Sequence, residues 1–162
     1  GEGGHVHLPL SSPRETQLWQ HIYSEIGHVS AETALSGGGL PRLYRAICAV
    51  DGHEPVLDTP EAITAAGLAG DPVAMEVLDQ FSIWMGRIED NNNLKNGGHV
   101  GVYIVGGVIP RFADFFINSG FAQSFRDKGC MSDYFKGIPV WLVTAPYSGL
   151  TGAGVALEQA FA

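Results

Sequence analysis

The 162 residues suffice for one domain with a real core, and 45% apolar against 16% charged residues is the composition of neither a disordered tail nor a charged coil. Nine basic against seventeen acidic side chains leave a net charge of -8, with no cationic cluster to replace phosphate counterions, so DNA and RNA are argued against as partners. No apolar run approaches the ~20 residues of a membrane span and no signal peptide opens the chain, so a cytoplasmic protein with no membrane partner is expected.

The chain opens at Gly1 without an initiator Met and reads as a fragment. Val6 to Leu10 is predicted as a short strand, after which Ser11-Ser12-Pro13 announces a helix with Leu18, Trp19, Ile22 and Ile26 on one stripe, ending near Gly27. Ser30-Ala31-Glu32 starts a short second helix that stops in Gly37-Gly38-Gly39. Leu40, Leu43, Tyr44, Ile47 and Cys48 mark a third, closed by Asp51-Gly52. Thr59-Pro60-Glu61 caps a helix through Ala69, and Asp71-Pro72 opens another that carries Ala74, Val77, Leu78, Phe81, Met85 and Ile88 inward.

At Glu89-Asp90-Asn91-Asn92-Asn93 the apolar steps stop, and asparagine competes for backbone hydrogen bonds, so the segment from Glu89 to Asn96 is expected to fray or leave the helix. Val102 to Val105, closed by Gly106-Gly107, reads as a strand buried on both faces of a parallel sheet. Pro110 to Ser119 is a predicted helix, followed by helical pieces at Phe121 to Asp127 and Ser132 to Phe135. Ile138 to Val143 is a second buried strand, and Leu150 to Phe161 the last helix. Strands alternating with helices mean α/β with parallel crossovers, but two or three strands are fewer than the ~5 usual in such sheets, so part of the sheet is expected to be missing.

Glu2 and His5 flank two glycines that let backbone approach a ligand, and Glu32 adds a carboxylate at a helix start. Two carboxylates and an imidazole suit the fixed hydroxyl pattern of a sugar. Spacing alone favours a plainer reading, with Glu2 and His5 solvated and Glu32 a first-turn acid. Gly106 and Gly107 equally fit a tight strand-to-helix turn. His5 and His7 alternate as metal ligands on a strand would, but no third ligand accompanies them, and a solvated pair is favoured. His21 and His28 read as surface residues, Trp19, Trp84 and Trp141 as core or rim aromatics, and Asp58 as a cap or turn residue. Cys48 and Cys130 have no ligand spacing and are expected to be part-buried thiols.

Three blocks change the weighting: Gly1-Glu2-Gly3-Gly4-His5-Val6, then Glu25 to Glu32, then Leu35-Ser36-Gly37-Gly38-Gly39-Leu40. With Leu43-Tyr44-Arg45-Ala46, Met85-Gly86-Arg87, Val102 to Phe112 and Asp127-Lys128-Gly129, they resemble the C-terminal half of the bacterial glucokinase family. The resemblance implies an incomplete large domain of the two-domain actin-like ATPase fold, helix-rich with a small mainly parallel sheet. Residues 1–146 would belong to that domain, and 147–162 would form a helix that returns to a small domain or swaps onto another copy.

By the same resemblance, Glu2, His5 and Glu32 bind the sugar, while Gly106 and Gly107 lie on the adenosine side of ATP. The activity implied is phosphorylation of glucose by ATP with Mg2+, as in glycolysis, in a cytoplasmic homodimer. The family's phosphate loops and its catalytic aspartate have no counterpart here, so no catalytic residue and no metal ligand is expected in this chain. Glu89 to Asn96 also departs from the family, where an apolar and small-residue helix continues. The rival class is a non-catalytic sugar-binding or oligomerisation module built on the same pocket.

Overall fold

Ser12, Thr59 and Asp71 each accept a hydrogen bond from the amide three residues on, and each precedes a proline that has no amide to satisfy. In the computed structural model, which describes residues 2–161, they start α1 (Pro13–Ile26), α4 (Pro60–Leu68) and α5 (Pro72–Asn96). Between the first two lie α2 (Ala31–Ala34), opened by a reciprocal Ser30–Thr33 capping box, and α3 (Gly39–Asp51). Beyond α5 come β1 (Val102–Val105), α6 (Ala113–Ile117), α7 (Phe121–Arg126), β2 (Val140–Val143) and α8 (Ser148–Phe161). Short 3-10 helices cover Gly3–His5, Ile109–Phe112 and Gly129–Phe135.

The long helix α5 is the axis of the molecule. Its Val77, Leu78, Phe81 and Trp84 are fully buried, against α4 and α3 on one side and α7 on the other. α3 in turn packs on α1 through a core that includes Leu18, Ile22, Leu43 and Ile47. Where α5 meets α7 the backbones almost touch. A Cβ on Gly86 would lie 2.2 Å from the Ser124 hydroxyl and 2.8 Å from the Phe121 carbonyl, so only glycine admits this approach. The Ser124 hydroxyl spans the joint, 3.0 Å from the carbonyl oxygens of both Ile83 and Phe121.

A buried ion pair ties α1 to α5. The Arg87 guanidinium lies 2.6 and 2.7 Å from the Glu15 carboxylate oxygens, which also accept from the Ser11 amide and Gln80. Burial would push the Glu15 carboxyl up, but these donors outweigh it and hold the group below the usual carboxylate range.

Several expectations need correction. α5 does not end at Ile88 but runs unbroken through Asn96, closed by Gly97 in the left-handed region. Its partner there is Lys128, whose ammonium donates to Asp90 at 2.5 Å and to Asn91 at 2.8 Å. Val6 to Leu10 forms no strand and contributes only a bridge between His7 and Ser30. The two strands pair in parallel, Val102 opposite Val140, but β1 is covered on one face alone: Ile104 is buried, whereas Tyr103 and Val105 are exposed. β2 is β1's only partner among the described residues, and Tyr103 stacks in the open on Trp141, so Trp141 is a rim aromatic and Trp84 a core one. Pro110 to Ser119 divides into a 3-10 turn and α6. Cys130 is exposed rather than part-buried, and α8 buries none of its residues against the rest of the chain.

Candidate functional site

The first two motifs are brought together by backbone. Val6 accepts a hydrogen bond from the Ala31 amide at 2.8 Å, and the His7–Ser30 bridge lies beside it, which sets the Gly3–His5 turn against the start of α2. The Ser30 cap fixes the first turn of α2, so Glu32 projects toward that turn. Gly4 permits the approach: a Cβ there would sit 3.4 Å from both the Cβ and a carboxylate oxygen of Glu32.

His5 consequently stands between two acids. Its Nε2 is 3.4 Å from a Glu32 oxygen and 3.8 Å from a Glu2 oxygen, and all three side chains remain more than half exposed. Two acceptors and an imidazole thus point into open space, free to exchange water for another hydroxyl-bearing partner.

Glu32 borders two hollows. One, of about 380 Å³, is a shallow groove past His5, His28, Ser36 and Arg42. The other, of about 270 Å³, has Gly3, Gly4 and Glu32 on one wall and the α5 residues Met85, Ile88, Glu89 and Asn92 on the other. That size suits a small polar molecule rather than a drug-sized one, for which pockets begin near ~300 Å³. Burial pushes the Glu89 carboxyl above the usual range.

Gly106 and Gly107 close β1 elsewhere, at the edge of a hollow of about 530 Å³ that also takes in Pro110, Thr144, Tyr147 and Ser148. Nothing lies within 4 Å of where a Cβ on either glycine would be, so the bare backbone is open to a flat ligand. No carboxylate lines this hollow, so its residues do not fit a magnesium site. A narrow space of about 110 Å³ under the glycine pair is walled by Leu35 and Met85, which also line the Glu32 hollow. The two sequence-predicted clusters are therefore neighbours across two apolar side chains. Among the described residues no three His, Cys, Asp or Glu side chains gather as a metal site.

Glu89 and Asn92 were not singled out as site residues by sequence reasoning. The signal was present: positions 85, 88, 89 and 92 share one face of a helix, and α5 keeps its phase through the asparagine run.

A family model for glucokinase matches residues 1–160. The chain is 49% identical over 160 residues to the glucokinase of Pseudomonas aeruginosa (strain LESB58), covering 98% of this chain and 48% of the relative. It is 45% identical over 160 residues to the glucokinase of Yersinia pestis (strain Pestoides F), covering 98% and 50%. The chain thus spans about half the length of the curated relatives it matches. Among solved structures, the glucokinase of an Antarctic psychrotroph superposes with a TM-score of 0.90 at 34% identity, over 98% of this chain and 50% of that one. The glucokinase of Balamuthia mandrillaris, solved in complex with glucose, superposes with a TM-score of 0.79 at 19% identity, over 90% and 43%, and shares the fold. The helix-rich architecture with its small parallel sheet is part of the actin-like ATPase fold, as the motifs implied.

Proposed function

The chain belongs to the glucokinase family, and from that membership we propose that it is the sugar-holding part of an enzyme that moves the γ-phosphoryl of ATP to the 6-hydroxyl of glucose. The observation that carries this reading is the convergence of Glu2, His5 and Glu32, with His5 Nε2 3.4 and 3.8 Å from the two carboxylates. In this reading the two acids accept from sugar hydroxyls and His5 orients the ring. Gly106 and Gly107 receive the adenosine side of ATP, on the far side of Leu35 and Met85. Phosphoryl transfer asks a protein chiefly for positioning and charge stabilisation, and this chain supplies the first for the acceptor.

The catalytic base and the residues that hold Mg2+ and the phosphates lie outside residues 1–162 in this proposal, so the isolated chain turns over no glucose. Residues 1–146 form the large-domain portion, and 147–162 return to a small domain in a cytoplasmic homodimer acting in glycolysis. The exposure of α8 along its length supports that assignment.

In the full-length protein, Glu32→Gln should raise the KM for glucose roughly 10- to 100-fold, the worth of a hydrogen bond to a charged acceptor, while leaving the KM for ATP nearly unchanged. An equal loss for both substrates would return Glu32 to a structural role.

A further inference from the structure

Glu89 and Asn92 are one turn apart on α5 and line the Glu32 hollow from the opposite wall. Of their neighbours in the polar run, Asp90, Asn91 and Asn96 are engaged elsewhere, and Asn93 is turned into the interior. Lys128 takes Asp90 and Asn91, and the Asn96 side chain donates back to the Asn92 carbonyl oxygen of its own helix. Among the described residues, neither the Glu89 carboxyl nor the Asn92 amide has a hydrogen-bond partner, and burial pushes the Glu89 carboxyl above the usual range. A half-buried carboxyl kept without a partner costs stability that an apolar residue at this position would not. The Asn92 side chain is also close to the Gly3 backbone, its amide oxygen 3.6 Å from where a Cβ on Gly3 would lie.

Spacing supplies the chemistry. Side chains three apart on a helix hold their Cβ atoms ~5–6 Å apart, a separation from which a carboxyl and an amide converge on neighbouring hydroxyls of one ring edge. A carboxyl offers acceptors and an amide offers both donors and an acceptor, which matches a hydroxyl pair that must give and receive.

We propose that Glu89 and Asn92 are specificity-determining residues that hydrogen-bond adjacent hydroxyls of the hexose from the α5 side, opposite Glu32. The inference rests on the reading that this hollow takes the sugar. It makes α5 a polar jaw of the cleft, and it turns the asparagine run from a blemish in a helix into a recognition surface.

The test uses the full-length protein and its variants Glu89→Gln, Glu89→Ala and Asn92→Ala, with glucose and its 2-, 3- and 4-deoxy analogues. Glu89→Ala is expected to raise the KM for glucose about tenfold and leave that for ATP within about twofold, the worth of one hydrogen bond. For the deoxy sugar that lacks the partner hydroxyl the penalty should vanish, and Asn92→Ala should point to the adjacent position. Glu89→Gln should retain more sugar affinity than Glu89→Ala and melt no lower than the parent at pH 7.

An unchanged KM for every sugar, or a uniform loss across all four together with a lowered Tm, would overturn the proposal. If the parent takes glucose and Glu32→Gln impairs it while the α5 variants do not, this inference alone fails. If Glu32→Gln is silent and glucose does not bind, the reading of the hollow fails with it.

Discussion

Lys128 reaches back from beyond the end of α7 to Asp90, its ammonium 2.5 Å from a carboxylate oxygen of a residue that is 1% exposed. Burial pushes the Asp90 carboxyl up, and the bond from Lys128 offsets this only in part. The pair fastens the last two turns of α5 to the chain that follows α7.

Removing the cation should therefore be costly. Lys128→Ala leaves the carboxylate buried without its partner, and a loss of roughly 3–5 kcal/mol is expected from urea unfolding, the range for breaking one side of a buried pair. Amides of residues 90–96 should lose protection from hydrogen exchange first. Asp90→Asn in the same background should restore part of the loss, because the uncompensated charge goes. A Lys128→Ala protein as stable as the parent would mean that the helix end stands on its own propensity.

Acid should act through Glu15. Its carboxyl, held below the usual range by Arg87, Ser11 and Gln80 against the opposing pull of burial, contributes stability that is present above the unfolded-state value near 4.5 and lost as pH falls through the lower folded value. Glu15→Gln should thus destabilise the protein at pH 7, and the difference from the parent should shrink below about pH 4. Thermal melts from pH 7 to pH 3 test this, and a difference that stays constant with pH would remove the ion pair from the account.

Gly86→Ala should destabilise by roughly 1–3 kcal/mol, the usual cost of forcing atoms into a packed joint, although alanine favours a helix more than glycine does. Gly97→Ala serves as a comparison, since nothing lies within 4 Å of a Cβ there and its cost would come from a positive φ of 65° alone. If Gly86→Ala is stabilising, α5 and α7 can separate without loss, and the close approach has no energetic meaning.

Helix starts were legible in the sequence because caps are local: Ser12-Pro13, Ser30, Thr59-Pro60 and Asp71-Pro72 all open helices. The apolar stripe of α5 was legible as far as Ile88 for the same reason. Its continuation was not, because what compensates the poor propensity of the asparagines is Lys128, 38 residues from Asp90 in sequence. The burial of β1 was misread because a strand's covering depends on its neighbours, and an apolar run such as Val102 to Val105 carries no record of whether both faces are filled. Glu2, His5 and Glu32 were singled out through motif resemblance, and the structure brings their side chains together. Their charges alone would have left them as surface residues, and their exposure agrees with how little spacing could say.

Met85 and Leu35 form a partition one side chain thick between the space under Gly106 and the hollow beside Glu32. Both side chains pack against the hydrophobic core on their inner side and face a hollow on each flank. The unbranched thioether of Met85 can swing toward either, so volume gained by one chamber is given up by the other. Were both chambers filled, their occupants would be coupled through this wall, and such coupling would be reciprocal: whatever factor one applied to the affinity of the second, the second would return to the first. A single methionine would thereby set the exchange rate between two ligands that never touch.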